Sequence, residues 1–378
     1  MMARDLFFYG TLRDAETLSI VMGPYSDVVD SVDATLADHA VLAVVGEDYP
    51  VIVAQAGDTA HGMLVSNLPQ GAVDRLSYFE DEFDYALEIR TVNTPDGPRD
   101  AEVFFVRGDR FKTGDAWDFE AWSRDNQVAF SECARELMSL FGQVPDEDVD
   151  RIWPGIRFRA YARARARLEE PVVVHRSGLC RADVEVEQIS RPYVDYFAVE
   201  DLRLSHRTFG GEMQGPMDRA VFVSGDAVAV LPWDPKTDSV LLVEQMRVAP
   251  LARGAEVPWL LEPIAGRIDS VETAEQTARR EAQEEAGLTL GRLDTLPPFY
   301  SSPGCLTEQM SCYIGEVDLS QAGGVHGLAA ENEDIRSIIL TVAELRDALS
   351  SGEIENGPLI ILAQHLLIHH DRLRADWG

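Results

Sequence analysis

Lysine is almost absent from this 378-residue chain: only Lys112 and Lys236 occur, so nearly all of its positive charge is arginine. Neither lysine follows a glycine-rich loop, which leaves a Walker-type phosphate site unsupported. Cationic residues as a whole are scarce, 33 Lys plus Arg against 65 Asp plus Glu, for a net charge of −32. A field of that sign repels nucleic acid and anionic membrane, so neither is expected as a partner. An anionic small substrate stays open, provided divalent cations or local arginines receive it. The surplus acid also fits a plain solubility or high-salt adaptation. Cysteine is sparse too. Cys133, Cys180, Cys305 and Cys312 form no CxxC pair and no zinc-finger spacing, so reduced thiols are expected rather than a disulfide framework. No apolar run reaches the ~18 residues of a membrane-spanning helix. The start, MMARDLFFYGTLRDAE, lacks the long apolar core of a signal peptide. A cytoplasmic protein of about two or three domains is the expectation.

What is present changes texture three times. Residues 5 to about 110 alternate short apolar runs with Gly, Asp and Pro signals and read as strands. Residues 116–142 turn to helical spacing through Trp117, Trp122, Val128, Phe130, Cys133, Leu137 and Phe141. A further helix is expected over 147–170, interrupted near Pro154. It carries Arg159, Arg163 and Arg167 on one face, either a stripe for phosphate or nucleic acid, or a solvated face or one paired with acid elsewhere in the chain. From 171 strands return, beginning with PVVVHRS. AVAVLPWDPKTDSVLLVEQ suggests a hairpin around Asp234 and Pro235, and helices follow over 273–286, 342–351 and the tail. The expected division is a first domain over 1–112, a helical connector over 113–170, and an α/β domain over 171–378.

The segment GRIDSVETAEQTARREAQEEAGL, residues 266–288, concentrates the chemistry. Glu281, Glu284 and Glu285 share one helical face at spacings of three and four. Clustered carboxylates oppose one another unless a cation neutralises them. Mg2+ does so with a few carboxylates, substrate phosphates and water. Gly287 suits the left-handed residue that closes the helix. The residues alone therefore admit two readings, a Mg2+ site for a phosphate substrate or a solvated acidic helix.

The full spacing resembles the Nudix box, G-x5-E-x7-R-E-U-x-E-E-x-G-U with U apolar, at every fixed position. Chance occurrence in a chain of this length is on the order of one in a million. Ser302-Pro303-Gly304 beyond the box, GVHGLAAENEDIR at 324–336, VLPWDPKTDSVLLVEQMRVAP and VPWLLEPIAG are similar to the ADP-ribose pyrophosphatase branch. Tellurite-resistance proteins of the TrgB type are similar as well. This resemblance covers about 175–378 and implies an α/β/α sandwich that hydrolyses ADP-ribose to AMP and ribose 5-phosphate. It implies Mg2+, with Mn2+ as the alternative, held by the carbonyl of Ala265 and by Glu281, Glu285 and Glu333. Glu284 would bind through water, Arg280 would orient the box glutamates, and Glu331 would be the general base. Arg247 and Arg219 would contact the substrate. The stretch from Arg247 to Gly266 is one residue longer than in the nearest family pattern. The resemblance also implies a homodimer whose substrate site is formed partly by the segment before the box, here 184–225.

In the first region, LFFYGTLR at 6–13 is a strand followed by a tight turn, where Gly10 permits close backbone approach and exposed N–H groups can receive a carboxylate. With Tyr49-Pro50, HGMLVSNL, LSYFEDEFDY and AEVFFV in order, residues 5–110 resemble the γ-glutamylcyclotransferase-like (AIG2-like) proteins, a mixed β-barrel. The resemblance implies a ligand site at Tyr9, Gly10, Thr11 and Leu12 and an acid–base residue at Glu80, or alternatively Glu82. Ser77 and Asp81 depart from the family's usual Asp and Gly. Three functional classes stand: a Nudix hydrolase, a nucleotide-sensing protein without turnover, and amide chemistry in the first domain.

Overall fold

The computed structural model describes all residues except 1–3, 29, 82–84, 107, 109–110, 171, 321 and 328–332. The chain divides into two compact units, residues 1–178 with 193–197, and residues 179–192 with 198–378. Among the described residues no helix is long and apolar enough to cross a membrane.

In the first unit five strands close into a barrel. Arg4–Phe8 runs antiparallel to Pro50–Leu68 and parallel to Gly97–Val106. Tyr85–Thr94 joins Gly97–Val106 to Asp30–Val44, which pairs back onto Pro50–Leu68. Side chains alternate along the first strand. Phe7 and Tyr9 enter a small core with Leu36, Ile52, Leu64, Val92 and Val103, while Leu6 and Phe8 face a larger one. Reading residues 5–110 as strands alone misses two helices, Ala15–Met22 and Gln70–Asp81. Asp14 caps the former by accepting the Thr17 amide at 2.8 Å.

The stretch 113–170, expected as a connector, is instead built into this unit. Helices Phe119–Asp125, Gln127–Met138 and Val149–Leu168 bury Trp122, Phe130, Leu137, Ile152, Trp153 and Ile156 with Leu6, Val65 and Phe79 of the barrel and its helix. Each such side chain contributes about 1.5–3 kcal/mol on burial, so the apolar face requires a covering surface, and the barrel's outside supplies it. The last of these helices is not interrupted: it runs through Pro154, whose ring removes one bond close to the N-terminus. Its arginines form an internal network. Arg159 is fully buried, with Nε 2.7 Å from Oε1 of Glu136. Arg163 takes the other Glu136 oxygen, and Arg167 meets Glu132 at 2.8 Å.

The second unit is organised by one strand, Ala227–Asp234. It lies parallel to Gln309–Glu316 and turns into Ser239–Met246, with Trp233 opposite Val240. The short strands Trp259–Glu262 and Ile264–Arg267 pair with Ser239–Met246 and Ala227–Asp234 respectively. Ala227, Ala229, Leu231 and Trp233 pack with helices Val342–Ser351 and Gly357–Trp377. Val228 and Val230 pack on the opposite face with Ala278, Ala282 and Ala286 of helix Ala274–Ala286. This is the expected α/β/α sandwich. Ahead of it stands a largely exposed three-stranded sheet, Val184–Val194, Ala198–Arg207 and Met213–Val223. PVVVHRS contains no strand among its described residues; Val172 and Val174 are exposed and no neighbouring strand pairs with them.

Candidate active site

The helix Ala274–Ala286 opens with a reciprocal cap between Thr273 and Gln276 and closes at Gly287, whose φ is 65°. Its alanines seat it on the sheet, with Glu281 against Gly266 and Glu285 against Ala265. Arg280 ties the glutamates together. It donates to Glu281 and to Glu284 at 2.8 Å each and to Glu272 at 3.0 Å. Gly266, in the strand Ile264–Arg267, lies hard against this helix. A Cβ there would come within 1.8 Å of the Glu281 carboxylate, so the close approach requires glycine.

Glu285 is buried and accepts the Ala265 amide at 3.1 Å. Burial pushes its carboxyl up to about 8, opposed by that amide and raised further by Glu281. Burial likewise raises Glu281 to about 7, against the pull of Arg280, with Glu284 and Glu333 adding to the rise. Arg247 stands beside them. Its Nε and a terminal nitrogen lie 2.8 and 2.7 Å from Oε2 of Glu262, and it feels Glu285 and Glu333 as well. Between Arg247 and Gly266 run the short helix Val248–Arg253 and the strands Trp259–Glu262 and Ile264–Arg267. The Arg247 amide donates to the Pro258 carbonyl, and Met246 pairs with Trp259.

The structure thus brings together Ala265, Glu281, Glu284, Glu285, Glu333 and Arg247. Arg219 is not among them: it is exposed on the separate three-stranded sheet, where it donates to the Asp218 carbonyl at 2.8 Å. Glu331 lies outside the described residues. Among the described residues no three His, Cys, Asp or Glu side chains are grouped so as to hold a metal ion by themselves. Two under-compensated carboxylates still suit a hard cation that takes its remaining oxygens from substrate and water.

A cleft lies in the first unit, its cavity volume about 30 Å3. Tyr9, Gly10, Thr11 and Leu12 line it together with Glu80, Tyr49, Pro50, Tyr85 and Phe104. Burial pushes Glu80 up to about 8, and Tyr9 and Tyr85 are also raised by burial. Tyr9 donates to the Phe104 carbonyl at 3.0 Å. Pro50 abuts Gly10, where a Cβ would approach its ring to 2.9 Å. Tyr85 and Phe104 were not legible as site residues, because barrel closure alone brings their strands to the Tyr9 turn. The alternative, Glu82, lies outside the described residues.

Comparison with known proteins agrees with both domains. The NUDIX domain profile matches residues 223–360, and the profile of gamma-glutamyl cyclotransferase, AIG2-like proteins matches residues 6–124. Over 196 residues the chain is 41% identical to the ADP-ribose pyrophosphatase of Escherichia coli K12, covering 52% of this chain and 93% of that protein. The chain belongs to the Nudix family. It is a Nudix hydrolase that carries an AIG2-like domain at its N-terminal side. The ADP-ribose pyrophosphatase of Haemophilus influenzae is 36% identical over 197 residues, 52% of this chain and 91% of that one. The GDP-mannose pyrophosphatase of Escherichia coli O1:K1 is 34% identical over 152 residues, 40% and 78% respectively.

Proposed function

We propose that the Nudix unit hydrolyses the pyrophosphate of ADP-ribose to AMP and ribose 5-phosphate, with Mg2+ or Mn2+. The observation that carries this reading is the pair of half-buried Glu281 and buried Glu285, carboxylates raised to about 7 and 8 beside Arg280 and Arg247. The 41% identity to an ADP-ribose pyrophosphatase supports the substrate. The carbonyl of Ala265 and the carboxylates of Glu281, Glu285 and Glu333, with Glu284 through water, would hold the cation. When bound, it supplies charge neutralisation at the phosphoryl oxygens. Arg280 keeps the glutamates in place, and Arg247 and Arg219 bind the diphosphate. Glu331 takes a proton from the attacking water, directly or through one other. The water oxygen bonds to one phosphorus as the bridging P–O bond breaks, and the phosphates part on separate products.

A homodimer belongs to this reading. The three-stranded sheet exposes Ile189, Met213 and Phe222, a surface that suits a second copy, with Arg219 on the same sheet. The test is hydrolysis of a panel of nucleoside diphosphate sugars with Mg2+, alongside Glu331→Gln. ADP-ribose is expected as the preferred substrate, and the variant is expected to bind it with little turnover. A wild type that binds ADP-ribose and cleaves nothing would make the protein a nucleotide sensor.

Glu80 favours a second activity in the first unit. A carboxyl raised to about 8 in a cleft can shuttle a proton near neutrality. In γ-glutamyl cyclotransferase chemistry the substrate's α-amine closes on its own γ-carbonyl. Glu80 would move the proton from that amine to the departing one, leaving 5-oxoproline. Formation of 5-oxoproline by the wild type, lost in Glu80→Ala, is the expected result. None from the wild type would refute it.

A further inference from the structure

Glu262 is a buried carboxylate that lies in the VPWLLEPIAG segment without a role of its own assigned to it. It ends the strand Trp259–Glu262, opposite Val243, and is 4% exposed. Its two oxygens serve different partners. Oε2 takes both Nε and a terminal nitrogen of Arg247, at 2.8 and 2.7 Å. Oε1 accepts from Asn356 Nδ2 at 3.1 Å. The other end of the Asn356 amide caps helix Gly357–Trp377, accepting the Leu359 amide at 2.9 Å. Asn356 thus fixes Glu262 from a helix terminus, and Glu262 fixes one edge of the Arg247 guanidinium, its Nε and a terminal nitrogen.

The guanidinium has other anions within electrostatic reach. After Glu262, the charges that act on Arg247 are Glu285 and Glu333. Both belong to the set that would receive the cation. A guanidinium free to turn would pair with them, because a charge-assisted bond to a buried carboxylate is stronger than one to water. It would then occupy the oxygens that the cation needs.

We infer that Glu262 is a positioning residue that holds Arg247 off the box carboxylates. It keeps Glu285 and Glu333 open to a divalent cation while Arg247 stays available to the diphosphate. Asn356 sets the Glu262 carboxylate by its second oxygen. This inference rests on the reading of the box as the cation site.

The experiment is direct Mn2+ binding to the full chain without substrate, followed by electron paramagnetic resonance. Glu262→Gln keeps the shape and removes the charge. It is expected to weaken Mn2+ binding about 10- to 100-fold, the usual size of an outer-shell loss. The deciding variant is the double substitution Glu262→Gln with Arg247→Ala. Removing the competing guanidinium is expected to restore Mn2+ binding to within about threefold of wild type. A merely structural role of Glu262 predicts the opposite, since the double variant loses more packing than the single one. Unchanged Mn2+ affinity in Glu262→Gln, or no recovery in the double variant, overturns the inference alone. Wild-type Mn2+ binding that Glu285→Gln leaves unaltered overturns the cation site itself, and this inference with it.

Discussion

The place where a Cβ of Gly266 would sit lies 1.8 Å from Oε1 of Glu281. Strand and helix face are closer than any side chain permits, and the atoms in the way are Oε1, Cδ and Cγ of the Glu281 side chain rather than backbone. Gly266→Ala should therefore displace the carboxylate more than the backbone. Turnover is expected to fall about 10- to 100-fold, as for other losses around a metal site. Stability should change by less than about 2 kcal/mol. Steady-state kinetics and a urea titration on the same preparation check the pair of outcomes.

Glu80 is expected to make the first unit pH-sensitive. Burial raises its carboxyl to about 8 in the folded protein, against about 4.3 for an exposed glutamate. A raised folded value means that folding takes up a proton. Its contribution is complete below the unfolded value and is lost as pH rises through about 8. Hydrogen exchange of the barrel strands should show weaker protection at pH 8.5 than at pH 5.5. Glu80→Gln should flatten that dependence, and an identical slope in the variant would refute the assignment.

The buried pair Glu136–Arg159 predicts a stability cost with no direct effect on either site. Burial opposes the charge of Glu136, yet Arg163 and Arg159 hold its carboxyl below the ordinary value. Arg159 also donates to the carbonyls of Asp195 and Tyr196 at 3.1 and 2.9 Å. Arg159→Met leaves Glu136 with one partner and should destabilise the first unit by about 3–5 kcal/mol. Thermal unfolding monitored in that unit would detect it, while ADP-ribose turnover at low temperature should hold.

Arg219 and the box carboxylates make no contact within one copy, although both are proposed to serve one substrate. Glu285→Gln and Arg219→Ala are each expected to be nearly inactive alone. Mixed after dissociation, they should recover about a quarter of wild-type activity, since half the dimers are mixed and each holds one intact site. No recovery on mixing would place Arg219 outside the substrate site.

The box helix was legible because its signals are local. The Thr273–Gln276 cap, the alanine stripe and Gly287 lie within a few turns of the glutamates they present. The hairpin at Pro235 was legible for the same reason. Other features depend on partners distant in sequence. Fourfold spacing puts Arg159, Arg163 and Arg167 on one face, but nothing in that helix reveals Glu132 and Glu136 opposite. Period alone likewise shows that helices over 119–168 have an apolar face, not that a barrel covers it. Glu262 escaped for a topological reason: fifteen positions separate it from Arg247, and only the strand ladder makes them neighbours.

The strand Ala227–Asp234 is a common wall. Its odd-numbered side chains belong to the core under the two C-terminal helices, and Val228 and Val230 to the core under the box helix. Neither core can loosen without withdrawing support from the other. The Nudix unit is therefore a single cooperative element, and a cavity cut beneath the C-terminal helices would be felt at the glutamates on the far side.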